Sequence, residues 1–88
     1  MSERTATVAS PVGLHARPAS LFAQAAAKTG VMVTLSAGGK SVNAASILGV
    51  LSLGIGHAQE VTLSAVGDGA DAALETLVLL LETDLDQG

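Results

Sequence analysis

The residues with the clearest chemical potential are His15 and Arg17, which lie two positions apart near the N-terminus. Gly13 precedes the histidine and Pro18 follows the arginine. Proline has a fixed φ and no backbone N–H, so it suits the first turn of a helix. The pattern therefore predicts a histidine at a helix N-terminus, where unpaired N–H groups and the helix dipole favour an anion.

This position suits a histidine that accepts negative charge. The positive end of the dipole disfavours the imidazolium, so the neutral, nucleophilic ring of His15 should dominate near neutral pH. The backbone N–H groups of Ala16 and Arg17, together with the Arg17 guanidinium, could then bind phosphate oxygens. A nucleophile beside anion donors is typical of phosphoryl transfer. The alternative is that His15 only caps the helix and Arg17 is solvated.

Two further polar residues have both a structural and a chemical interpretation. Ser46 precedes an apolar segment and is either a helix N-cap or a phosphorylation site at a helix start. His57 lies in a predicted loop, where we expect a solvated side chain. A metal pair of His57 with His15 lacks further clustered ligands, so the sequence predicts no metal and no cofactor.

Six large apolar residues crowd the short helix predicted after Ser46, which ends before Gly54. They are Ile47, Leu48, Val50, Leu51, Leu53 and Ile55. A helix of one or two turns cannot bury all of them against one sheet. Some should stay exposed as a protein-binding surface, or else be covered by a loop.

Composition and charge limit the class of protein. The 88 residues predict one domain, 1–88, with 49% hydrophobic residues, no cysteine and a net charge of −4. An acidic chain with one aromatic residue is a poor nucleic-acid binder, and we expect neither a signal peptide nor a membrane span. We expect a cytoplasmic monomer. All four basic residues precede residue 41, which favours an electropositive site for an acidic partner, or merely reflects a solubilising acidic tail.

Periodicity predicts an α+β fold of order β-α-β-β-α-β-α, with an antiparallel sheet that helices cover on one face. The predicted strands are Thr5–Ala9, Val31–Ser36, Ser41–Asn43 and Glu60–Val66, with a hairpin at 37–40. The predicted helices are Ala16–Lys28, the short one after Ser46, and Ala70–Leu85.

Two segments resemble the HPr family, the histidine-containing phosphocarriers of the bacterial phosphoenolpyruvate:sugar phosphotransferase system. They are Gly13-Leu14-His15-Ala16-Arg17-Pro18-Ala19 and residues 40–54. The resemblance implies an open-faced β-sandwich of four antiparallel strands covered on one face by three helices. It also implies that His15 accepts a phosphoryl group on Nδ1 from enzyme I and passes it to a sugar-specific enzyme IIA. Arg17 and the amides of Ala16 and Arg17 would contact the phosphoryl group.

The same resemblance assigns roles to the second segment. Ile47, Leu48 and Leu51 match the family's docking surface for partner proteins. Ser46 matches the site that a regulatory kinase phosphorylates in many Gram-positive members. Two positions depart from the pattern: Val12 replaces a frequent Ser or Asn, and Ala45 replaces a frequent Lys.

The resemblance therefore implies a stoichiometric carrier and not an enzyme with turnover. Two alternatives stay open. One is a regulatory module in which phosphorylated Ser46 binds a transcriptional regulator. The other is a paralogue of the nitrogen branch.

Overall fold

This computed structural model describes residues 2–9, 13 and 16–83, and its elements follow the order β-α-β-β-α-β-α. The strands are β1 (Ser2–Thr7), β2 (Val33–Ala37), β3 (Lys40–Asn43) and β4 (Glu60–Ala65). The helices are α1 (Ala16–Lys28), α2 (Ile47–Ser52) and α3 (Ala70–Leu81). The predicted order is confirmed, as are the bounds of α1. Among these residues no helix has the length and apolar character needed to cross a membrane.

The four strands form one antiparallel sheet, as predicted, and their order within the sheet is β1-β4-β2-β3. Leu35 on β2 faces Leu63 on β4, and both side chains are fully buried. Gly38 and Gly39 join β2 to β3, and both have positive φ (57° and 82°), which a two-residue hairpin of type I′ requires. The predicted hairpin is therefore confirmed.

The core lies between one face of the sheet and the three helices. Strand residues that alternate with polar ones point into it: Ala6, Val33, Leu35, Val61, Leu63 and Ala65. The helices contribute Ala19, Phe22, Ala23, Ala26, Val50, Ala70, Ala73, Leu74, Leu77 and Leu81. The other sheet face carries hydroxyl side chains such as Thr34, Ser36, Thr62 and Ser64. This alternation explains why helices cover one face only.

The first strand was predicted too late in the sequence. It begins at Ser2 and ends at Thr7, and it pairs with β4 from Ser2↔Ala65 to Thr7↔Glu60. Ser2–Arg4 show no apolar alternation, so the neighbouring strand and not local preference extends β1.

The last helix was predicted too long. It ends at Leu81, and the Leu81 carbonyl accepts a hydrogen bond of 3.0 Å from the N–H of Ala9. That carbonyl would otherwise accept from residue 85 in a continued helix. Leu85 itself lies outside the described residues.

The second strand begins at Val33 and not at Val31 because Thr29 holds the turn after α1. The Thr29 hydroxyl donates to the Ala26 carbonyl (2.7 Å) and accepts from the Val31 N–H (3.2 Å). Gly30 has a φ of 71°, the left-handed conformation predicted for the end of α1. Three other strand bounds differ from the prediction by one residue: β2 ends at Ala37, β3 begins at Lys40 and β4 ends at Ala65.

Candidate functional site

Residues 8–15 connect β1 to α1, and we call residues 10–15 of this connection the His15 segment. His15, Val12 and Leu14 lie outside the described residues, so the predictions for them are not tested by the geometry. The structure describes Gly13 within this segment, Ala9 before it and the first turn of α1 after it.

The first turn of α1 has the features that the sequence predicts for an anion site. The helix begins at Ala16, directly after His15, and the side chain of Arg17 is exposed. Pro18 is fully buried beneath this turn. The first N–H groups of a helix have no carbonyl partner within it, and Pro18 has no N–H. The geometry of the helix therefore aims the backbone N–H groups of Ala16 and Arg17 toward the chain that precedes it.

Gly13, within the His15 segment, makes a close contact with the backbone of residues 55 and 56. It is buried and has a φ of 72°. A Cβ added there would lie 2.7 Å from Cα of Gly56 and would overlap the carbonyl oxygen of Ile55. Glycine is required at this position both by the positive φ and by the approach of the second chain segment.

Hydrogen bonds also hold Val8, which lies two residues before the His15 segment. Val8 is 1% exposed; its N–H donates to the Gln59 carbonyl (3.1 Å), and its carbonyl accepts from the Ala58 N–H (2.8 Å). Sequence reasoning missed this contact because residues 56–59 carry no periodic pattern. The one available signal was their glycine content beside the apolar segment.

Helix α2 exposes part of the apolar segment, as predicted. Leu48 is 80% exposed and Ile47 is 41% exposed, whereas Val50 is fully buried and Leu51 is half-buried against the core. We call Ile47, Leu48 and Leu51 the α2 patch. Helix α1 packs against α2, and it exposes Leu21 one turn after Arg17. Leu21 is a candidate contact residue that the sequence reasoning missed; its position outside the buried stripe of α1 was the signal.

Ser46 is the N-cap of α2, as predicted. Its hydroxyl accepts the N–H of Gly49 at 3.1 Å, and its carbonyl accepts the N–H of Val50 at 2.9 Å. A cap of this kind contributes about 1 kcal/mol relative to alanine. Its proposed phosphorylation is not tested by this geometry.

The basic residues do not form one cluster. Arg4 lies 3.5 Å from Asp71 at the start of α3, and both side chains are exposed. Lys28 is at the far end of α1, about 16 Å from Arg17 at 1.5 Å per residue. His57 is exposed, as predicted. Across residues 2–9, 13 and 16–83, no three His, Cys, Asp or Glu side chains are grouped as metal ligands.

An open antiparallel sheet with helices on one face and a histidine directly before the first helix is the arrangement that the resemblance to the HPr family implies. Comparison with known proteins agrees. The family model for the HPr component of the phosphotransferase system, described by its phosphorylation site, matches residues 2–83. Phosphocarrier protein HPr of Streptomyces coelicolor is 49% identical over 99% of this chain and 95% of its own. Phosphocarrier protein HPr of Haloferax volcanii is 48% identical, and the match covers 92% of this chain and 93% of that protein.

The solved structures agree with the sequence relatives. An HPr crystal structure from Thermoanaerobacter tengcongensis superposes with a TM-score of 0.92 at 41% identity, covering 100% of this chain and 99% of that one. The chain therefore belongs to the HPr family, phosphocarriers of the phosphotransferase system. Such a protein carries a phosphoryl group and is not an enzyme in the usual sense. The resemblance and the fold inferred from the sequence are confirmed.

The contact at Gly13 predicts a large effect of one added methyl group. Gly13→Ala should lower the free energy of unfolding by about 2–4 kcal/mol, because strain in φ adds to overlap with the chain at residues 55 and 56. Gly54→Ala is the matched control: Gly54 has a φ of 61°, and no described atom lies within 4 Å of an added Cβ. It should cost only about 1 kcal/mol. Equal losses for the two variants in urea unfolding would contradict the close contact.

Proposed function

We propose that His15 accepts a phosphoryl group on Nδ1 from phosphorylated enzyme I and passes it to a sugar-specific enzyme IIA. The family match over residues 2–83 carries this proposal. The start of α1 supports it, since the helix begins one residue after His15 and exposes Arg17 in its first turn. Residues 1–88 would act as a single phosphocarrier domain.

The chemistry needs no co-reactant beyond the two partners. The lone pair of the neutral imidazole attacks phosphorus, a P–N bond forms, and the bond from phosphorus to the donor's leaving atom breaks. The leaving atom keeps the electron pair of that bond. The reverse exchange delivers the group to enzyme IIA. Catalysis of this kind consists largely of positioning and charge stabilisation.

The residues of α1 would stabilise the transferred charge. The N–H groups of Ala16 and Arg17 donate to phosphoryl oxygens, and the Arg17 guanidinium adds a charge-assisted donor. The side chain of Arg17 is exposed, so it can contact the group when it arrives. Val12 offers no side-chain hydrogen bond, so the backbone and Arg17 supply the contacts from this chain.

The α2 patch would dock both partners. An apolar surface exposed beside a charged site suits a transient complex, because its burial supplies affinity while the phosphoryl group supplies direction. Phosphorylation of Ser46 would place charge at the start of α2, next to Ile47 and Leu48. The regulatory alternative, with a Ser46 kinase and a transcriptional regulator, is supported only by the family resemblance.

Phosphate mapping tests the assignment of His15. Incubation with phosphoenolpyruvate and the host's enzyme I should give one acid-labile, base-stable phosphate, because P–N bonds hydrolyse in acid. His15→Ala should abolish it, whereas His57→Ala, which removes an exposed histidine, should leave it unchanged. Phosphate retained by His15→Ala would refute the proposal.

A substitution on the α2 patch tests docking. Leu48→Asp should raise the KM of enzyme I for this chain about tenfold, since it places a charge in the centre of an apolar contact. Its melting temperature should match that of the parent because the side chain is 80% exposed and an acid suits a first helical turn. Leu79→Asp is the control, a leucine 65% exposed on α3. The docking assignment is wrong if both variants transfer phosphate like the parent.

A further inference from the structure

The turn between α2 and β4 is closed by the side chain of Gln59. The side-chain Oε1 accepts the N–H of Gly56 at 3.0 Å. The backbone N–H of Gln59 donates to the Gly56 carbonyl at 3.3 Å. Ala58 within the turn has a φ of 64°, a conformation that a residue with a Cβ adopts only at a cost. The turn is therefore a specified conformation and not a passive connection.

This turn contacts the connection between β1 and α1 at two places, one before the His15 segment and one within it. On one side it pairs with Val8 through the Gln59 carbonyl and the Ala58 N–H. On the other side Gly13 lies against Ile55 and Gly56. Val8 and Gly13 lie near the two ends of the connection between β1 and α1. Residues 55–59 contact both of them.

The peptide unit between Ile55 and Gly56 links Gln59 to Gly13. A peptide unit is planar, so its carbonyl and its N–H turn together. The N–H end is held by the Gln59 side chain, and the carbonyl end faces Gly13. Without the Gln59 oxygen, this half-buried N–H loses its partner, and glycine at position 56 offers little resistance to rotation. Rotation of this plane would move the surface on which Gly13 rests.

We propose that Gln59 is a positioning residue for phosphoryl transfer, acting through the Ile55–Gly56 peptide plane on Gly13 and thus on the histidine two residues later. The inference rests on the proposed function of His15. It assigns Gln59 no contact with the phosphoryl group. Small displacements at a reacting centre reduce rates strongly. The α2 patch lies on residues 47–51, outside this turn, so we expect docking to change less than transfer.

The test compares variants of Gln59 in transfer from phosphorylated enzyme I at varied concentrations of this chain. Gln59→Leu, similar in size but without an acceptor, should lower kcat about tenfold and leave KM within about twofold. Gln59→Glu keeps an acceptor for the Gly56 N–H and should restore most of kcat. Gln59→Met provides a second variant without a polar acceptor if the leucine variant is unstable.

Thr29→Val is the matched control, since it removes hydrogen bonds of 2.7 and 3.2 Å from a turn at the far end of α1. It should lower the melting temperature without changing kcat. Parental kinetics in Gln59→Leu and Gln59→Met, no rescue by glutamate, or an equal loss in Thr29→Val would each overturn the inference. Failure of the parent chain to take phosphate on His15 would instead overturn the proposed function.

Discussion

The close approach of Gly13 to the Ile55–Gly56 backbone is the constraint on which the site depends. Two chain segments far apart in sequence meet there with no room for a Cβ. The sheet brings them together: β1 and β4 pair over six residues each, and Val8 continues the pairing to Gln59. The buried face of that sheet then anchors α1 above it. A histidine between Gly13 and Ala16 in the sequence is thus flanked by fixed backbone on both sides.

The rest of the site combines a buried helix start with exposed side chains. The first turn of α1 is fixed by the buried Pro18 and by the apolar stripe that follows it. The side chain of Arg17 is exposed, and Leu48 presents an apolar surface on α2. Lys28 lies in the last turn of α1 and Arg4 lies beside Asp71, whereas Arg17 lies in the first turn of α1. This arrangement suits a group that must be both bound and released.

Local sequence predicts what local physics decides. Periodicity and end signals gave the element order and the bounds of α1, since Pro18 and Gly30 punctuate that helix. The errors lie where residues far away in the sequence decide the structure. Pairing with β4 extends β1 to Ser2, and the N–H of Ala9 donates to the Leu81 carbonyl, which would otherwise accept a hydrogen bond within a longer α3. The chemistry proposed for His15 was readable from residue types and family resemblance. The contribution of Gln59 was not, because its partners Gly56 and Val8 meet only in the folded chain.

Amide chemical shifts before and after phosphorylation test the central claim that the start of α1 receives the phosphoryl group. In ¹⁵N-labelled protein, the N–H resonances of Ala16 and Arg17 should move strongly downfield, because both donate to the new oxygens. Gly13 and Gly56 should move little, since their backbone contact is already fixed. Unchanged Ala16 and Arg17 resonances in a protein carrying phosphate on His15 would contradict the account.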